Sequence, residues 1–248
     1  MTPAGAQTRA VFALALVGVT AAGCSADEPA QTPVPVPSAV AAPDPLRGAP
    51  ISDSGVLAAA MLGLGDLPGG FSSIPDPVQD LGLDPAPEYD APDKSSTDPA
   101  ECASVLAPIS EQRDGAVASA VARFSGPNFS SIDEDAASYS GTGTAEAFAA
   151  IQQAWARCTT FSGTDADGVK VDYAVAGREQ SPIGDASTSV RVTTGSAGFT
   201  LVSDVVVAVV DSTVAQIVVS DQSGLEPETV TAVAEKAVER IRSVTPNM

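Results

Sequence analysis

Val169-Lys170-Val171-Asp172-Tyr173-Ala174-Val175-Ala176 puts branched or aromatic side chains on the odd positions and charged or small ones on the even positions. That period of two belongs to an extended strand with one buried face. The runs 188–194 and 199–210 continue in the same manner, and 214–220 completes a hairpin around Asp211-Ser212. Neighbouring strands joined by short connections describe an antiparallel meander, not the alternating strand and helix units of a dinucleotide-binding fold. Two further strand-like runs lie upstream, at 115–125 and 135–141.

Amphipathic helices are available to cover such a sheet. Residues 144–157 place Phe148, Ile151, Trp155 and Cys158 along one stripe. A last helix starts near Pro227 and carries Val230, Val233, Ala234, Ala237, Val238 and Ile241 on one side. Its Lys236, Arg240 and Arg242 complement the C-terminal dipole. Asp98-Pro99 with Glu101 is an Asp version of the capping box, and it predicts a helix with Cys102, Val105, Leu106 and Ile109 on one face. Ser52 or Asp53 caps an earlier helix with Val56, Leu57, Ala60, Met61 and Leu64 as its apolar positions. Between these two helices, the Pro- and Asp-rich run 75–96 reads as a surface loop. The expected fold class is α+β, in a single domain over 51–248.

The N-terminus indicates where that domain works. Arg9 is the only side-chain positive charge before an apolar run over 10–19, and small residues follow up to Cys24. Residues 1–23 therefore read as a secretory signal peptide, too short in its apolar run to span a bilayer. Ala21-Ala22-Gly23-Cys24 resembles a bacterial lipobox, in which the cysteine is diacylglycerated and becomes the new N-terminus; leucine is usual where Ala21 stands. The alternative is an ordinary signal that leaves Cys24 unpaired. Residues 24–50 then form a disordered tether, with Pro29, Pro33, Pro35, Pro37, Pro43, Pro45 and Pro50 favouring extended conformations.

The 3 cysteines of an exported chain divide into Cys24 for lipid and Cys102 with Cys158 for a disulfide, since both of the latter sit on inward faces of helices. Two free buried thiols or a redox pair are the alternatives, though the spacing is not that of a CxxC motif.

Composition removes several functions. The chain has 248 residues, 12 Lys and Arg against 31 Asp and Glu, and no histidine. Ser-His-Asp and Cys-His nucleophile systems and His-ligated metal sites are excluded. A net charge of −19 with 4% aromatics argues against nucleic acid as a partner. Gly141-Thr142-Gly143-Thr144-Ala145-Glu146 lacks the third glycine of a dinucleotide loop and puts Glu146 where pyrophosphate would sit. Asp165-Ala166-Asp167-Gly168 imitates part of a calcium loop, but Gly163 and Ala174 stand at its ligand positions. Asn128-Phe129-Ser130 fits a glycosylation acceptor and reads as a loop. The acidic run Asp133-Glu134-Asp135 reads as a solvated turn. No metal and no cofactor is expected. Arg123 and Arg191 fall inside strand patterns where cations are scarce. If they share a sheet face with Tyr139 they orient an anionic or hydroxyl-bearing ligand; the alternative is a local carboxylate partner for each arginine.

The lipobox, the tether, the 98–102 helix start, the Trp155-Ala156-Arg157-Cys158 ending and the late strands together resemble actinobacterial, especially mycobacterial, envelope lipoproteins. Residues 51–245 also resemble the extracellular sensor domain of PknH-type serine/threonine kinases. The resemblance implies a twisted antiparallel sheet flanked by helices, with a cleft for an unidentified ligand. It supplies no catalytic residue, and the sensor domain's two disulfides exceed the one this chain can make. The expectation is a non-enzymatic protein held extracytoplasmically on the cell membrane by its lipid, binding a small molecule, lipid or glycan. The alternatives are a module docking an envelope protein and, behind it, a carboxylate-based hydrolase.

Overall fold

In a computed structural model, the structure describes residues 35–36, 38–44, 46, 48–75 and 94–245. The segment 1–23 read as a signal peptide, Cys24 and most of the run 75–96 read as a loop lie outside the described residues. In chain order the elements are α1 (Ser54–Ala59), β1 (Ser72–Ile74), β2 (Ser96–Asp98), a 3-10 helix (Ala100–Val105), α2 (Ile109–Gln112), β3 (Ala116–Ser125), β4 (Ser131–Tyr139) and α3 (Gly143–Arg157). They continue with β5 (Thr160–Thr164), β6 (Lys170–Gly177), β7 (Ala186–Ser196), β8 (Phe199–Val210), β9 (Thr213–Asp221) and α4 (Pro227–Val244). All described strands pair antiparallel in one sheet, in the order β1-β3-β4-β9-β8-β7-β6-β5-β2. The fold is α+β, as the strand and helix patterns predict.

Hydrophobic cover lies on both faces of this sheet. Val206, Ala208 and Val210 of β8, with Ala215, Ile217 and Val219 of β9, face α4 and α1. Val205, Val207 and Val209 face Phe148, Ile151 and Trp155 of α3. Burial on both sides explains why β8 turns from alternating to continuously apolar at 205–210, as central strands covered twice do. α4 presents the predicted stripe, with Val230, Val233, Ala234, Ala237, Val238 and Ile241 all buried. Two of its cations have a different task from the one expected. Arg240 Nε and Nη2 donate to Met61 O (2.6 Å) and Ala59 O (3.1 Å), satisfying carbonyls left over at the end of α1. Arg242 pairs with Asp185 at 2.9 Å.

α1 stops at Ala59, earlier than its apolar period predicts, and Gly63 adopts extended backbone. Asp53 caps it as expected, accepting from Gly55 N and Val56 N. The Asp98 capping box does not form: Asp98 ends β2 opposite Ser162, and Pro99 takes the cap position of a 3-10 helix. With three residues per turn, Cys102 and Val105 align on the buried side while Leu106, on the expected stripe, turns outward. β1, β2 and β5 are strands that the periodicity did not reveal. The Asp165 turn joins β5 to β6, its Oδ1 accepting from Asp167 N and Val169 N.

Cys102 and Cys158 are joined, Cα to Cα 5.7 Å, across 56 residues of chain. The bridge ties the 3-10 helix to the end of α3 in the core between α3 and the sheet. On the same face lies the end of the Pro-rich segment, expected as a spacer that joins no core. Val36, Ala42 and Leu46 are partly buried against that core. The side-chain amide of Gln152 on α3 accepts from Val40 N (2.7 Å) and donates to Val40 O (2.9 Å). Ser212 donates to Gly48 O, and Ile51 N donates to Ser138 Oγ at 2.9 Å. A Cβ on Gly48 would come within 2.6 Å of Thr245 and 2.7 Å of Asp211, so glycine permits the close approach. The described residues between 38 and 50 thus form a strap along the body, held by hydrogen bonds that extended chain leaves open.

Two outcomes are expected. Reducing the disulfide should lower the unfolding free energy by about 4 kcal/mol, the chain-entropy value for a 56-residue loop, measured by urea unfolding with and without reductant. Gln152→Ala should cost about 1–2 kcal/mol for the lost hydrogen bonds and speed proteolytic cleavage within 38–46, followed by mass spectrometry of the fragments.

Candidate functional site

Strand alternation places Arg123 and Val121 of β3, Asp133 and Asp135 of β4, and Gln216 and Val218 of β9 around one opening. Register brings them together in two rows. Asp133 stands between Arg123 and Val218, and Asp135 stands between Val121 and Gln216. Leu106 and Pro108, in the chain between the 3-10 helix and α2, form the wall of a cleft of about 220 Å³. The floor is therefore polar in the middle of a sheet whose neighbouring positions build a core. Asp135 and Gln216 are both buried, while Asp133 and Arg123 are about one-third exposed.

Arg123 Nε lies 3.9 Å from Asp133 Oδ1, a long and solvent-screened pair of little worth to stability. Ser131 Oγ donates to Asp133 Oδ2 at 3.0 Å. Burial pushes the Asp133 carboxyl above its ordinary range, and the Ser131 hydrogen bond and the Arg123 charge oppose that shift. Neither acid is a turn residue: 133–135 run inside β4, correcting the solvated-turn reading. Asp is depleted in strands, which hid this segment; the flanking Ile132 and Ala136 were the available signal.

Glu134 points the other way, toward α1 and α4, and is completely buried. Its Oε2 accepts from Leu62 N at 2.5 Å, and its Oε1 has no hydrogen-bond partner. Burial raises its pKa to about 7, against the Leu62 hydrogen bond and the Arg240 charge, which lower it.

The three residues expected to share a ligand do not come together. Arg123 lines the cleft. Tyr139 is on the same face, at the far end of the β3–β4 pair, where it is 1% exposed in the core and donates to Arg113 O at 3.3 Å. Arg191 is on the opposite face, because β7 alternates with Val190 and Val192 toward α3. There it holds Asp204 through two hydrogen bonds, Nε at 2.7 Å and Nη2 at 2.8 Å, and Arg178 Nε lies 3.4 Å from the same carboxylate. Asp204 is 1% exposed, so the two arginines neutralise a charge buried beside α4. Among the described residues no group of three His, Cys, Asp or Glu is arranged to hold a metal ion. Among them, too, no helix is long and apolar enough to cross a membrane.

No protein-family model matches the chain, and no curated protein matches it at a significant level. Among solved structures, the extracellular domain of PknH from Mycobacterium tuberculosis aligns with a TM-score of 0.53 over 79% of this chain and 99% of that domain, at 15% identity. An uncharacterised protein from Mycobacterium smegmatis aligns with a TM-score of 0.39 at 16% identity, over 75% of this chain and 96% of that one. At these identities the first likeness is one of fold: this chain has the fold of the PknH extracellular domain.

Glu134 makes stability fall with rising pH. The folded protein keeps the carboxyl protonated up to about pH 7, whereas the unfolded chain releases the proton near 4.5. The stabilisation present below pH 4.5 is therefore lost between 4.5 and 7. Urea unfolding at pH 5 and pH 8 should show Glu134 contributing a loss of roughly 2.5 kcal/mol at the higher pH, and Glu134→Gln should remove that part of the slope.

Proposed function

We propose that this protein is an exported, non-enzymatic domain, anchored to the membrane through a lipidated Cys24, that binds a small hydroxyl-rich molecule in the cleft over β3, β4 and β9. A single sugar or the end of a glycan is the ligand class. The secretory segment, the lipobox-like run before Cys24 and a structural disulfide all belong to an oxidising extracytoplasmic setting. The likeness of fold to the extracellular domain of PknH supports the same setting.

The observation that carries the reading is the two-row floor, Arg123-Asp133-Val218 beside Val121-Asp135-Gln216. Carboxylates accept from sugar hydroxyls, the Gln216 amide both accepts and donates, Arg123 donates, and Val121, Val218 and Leu106 offer apolar surface to the C–H face of a ring. At about 220 Å³ the cleft is smaller than the sites of drug-sized ligands, in keeping with one ring.

Two carboxylates in a groove also meet the first requirement of a glycosidase. Its second requirement is that the carboxyl groups flank the scissile bond. Asp133 and Asp135 are successive same-face residues of one strand, so they meet a bound sugar from a single side. That geometry supports binding over hydrolysis.

Saturation-transfer NMR with glucose, galactose, mannose, arabinose and their disaccharides tests the proposal. At least one should show transfer from the wild-type protein, weakened roughly tenfold or more by Asp135→Asn and by Arg123→Ala, as loss of charge-assisted hydrogen bonds requires. Tyr139→Phe and Arg191→Lys should leave it unchanged. Absence of transfer from every sugar, or transfer indifferent to Asp135→Asn and Arg123→Ala, would overturn it.

A further inference from the structure

Three strand connections emerge at one end of the sheet. The register pairs Ser125 with Ser131, Thr164 with Lys170 and Ser196 with Phe199, so the β3–β4, β5–β6 and β7–β8 turns lie beyond these pairs. Val171 opposite Ser196, and Ser220 opposite both Ser131 and Ser203, place those turns at the same end. Each turn, or the strand residue that borders it, presents an apolar side chain to solvent: Phe129 is 84% exposed, Val169 43% and Phe199, the first residue of β8, 73%. Every other phenylalanine in the described residues is buried or half-buried.

Single exposed apolar residues are ordinary on protein surfaces. Here, however, Phe129 and Phe199 line one groove of about 370 Å³ with Thr194, Ser196, Thr200, Leu201 and Gln222. None of these side chains is charged, in a protein with 31 acidic residues. The backbone holds Phe129 outward against its own preference. Asn128 and Phe129 both have left-handed φ, 54° and 60°, and strain of this kind in non-glycine residues collects at functional surfaces. Gly126 N donates to Ser130 O at 2.8 Å and Ser130 N to Pro127 O at 3.1 Å, which clamps the turn in that shape.

We propose that Phe129 and Phe199, with Val169 beside them, insert into the lipid headgroup and acyl boundary of the membrane on which the protein is anchored. The inference rests on the anchored reading of Cys24 and is independent of the sugar cleft. Two observations select a bilayer as the occupant. From Cys24 to Pro35 the chain spans only 11 residues, which bounds their separation at about 40 Å however the chain runs. The strap, moreover, runs toward this end. It leaves the Asp211–Ser212 turn at Gly48 and meets Gln152 on α3 at Val40. α3 itself starts at that turn, where Thr144 donates to Ser212 O, and ends beside Thr160. Thr160 is level with Ala174, Thr193 and Val202 across β6, β7 and β8, near Phe199. Among the described residues, the charges at the β5–β6 turn are Lys94, Asp165, Asp167, Lys170 and Asp172, with the Asp165 carboxylate accepting from backbone N–H groups and Asp172 paired with Lys170 at 2.8 Å.

The test uses the full chain reconstituted on phosphatidylcholine vesicles, with Phe129→Trp, Phe199→Trp and, at the opposite end of β3, Val117→Trp as separate variants. The wild-type protein, with Trp155 buried in the core, supplies the baseline. Emission from positions 129 and 199 should shift to the blue on vesicles, and acyl-chain bromination should quench it roughly twofold or more, as immersion at this depth requires; emission at 117 should not change. Several results would overturn the proposal: no quenching at 129 and 199, or equal quenching at 117. So would a blue shift without vesicles that grows with protein concentration, which would indicate a second copy, or one that requires an added envelope protein.

Discussion

Burying both faces of the β8–β9 hairpin is the constraint from which the rest of the architecture follows. Val205 to Val210 cannot face water on either side, so one helix alone could not complete the fold. α4 answers one face with a regular apolar stripe. The other face needs α3, the 3-10 helix and the strap together, because α3 covers only part of the sheet's width. The Cys102–Cys158 bridge fastens two of these partial covers to each other. Where the cover stops, over β3, β4 and the end of β9, polar side chains replace the core and the cleft opens.

Charge is handled differently on the two faces. Asp204 lies wholly inside, and its negative charge is met by Arg178 and Arg191. Burial lowers the pKa of Arg178, while the hydrogen bond to Asp204 raises that of Arg191. Glu134 lies equally deep with only one backbone donor, and it resolves the conflict by holding its proton to higher pH. In the cleft, Asp133 is about one-third exposed and accepts from Ser131, and Asp135 lines the same opening. A single strand, β4, thus carries adjacent carboxylates in opposite circumstances because successive residues face opposite sides.

Much of the fold was legible because long elements repeat their pattern. β6 through β9 show it in alternating valines, and α3 and α4 show it in stripes with a helical period. β1 and β2 are three residues each and β5 is five, too short to establish a period, and their partners define them instead. Acid content concealed the start of β4, since strand propensity reflects the average site and not one lining a cleft. The strap was concealed for the opposite reason. A Pro-rich run lacks any periodic signal, and what fixes it is supplied from elsewhere, by Gln152, Ser138 and Ser212. Of the proposed site, Arg123 stood out as a cation within a strand pattern, and Asp133 and Asp135 only as an acidic turn; Gln216 and Val218 carry no mark until β9 is set beside β4.

The strap's attachment points have a mechanical meaning. Tension arriving from upstream would first shear the Val40–Gln152 pair and then reach Gly48, which is locked between Thr245 at the end of α4 and the β8–β9 turn. Load would therefore enter the sheet near its central strands and not at an edge, where hydrogen bonds unzip one at a time. A pull on the chain ahead of Pro35 would thus be carried by the middle of the sheet, without its rim strands being peeled away.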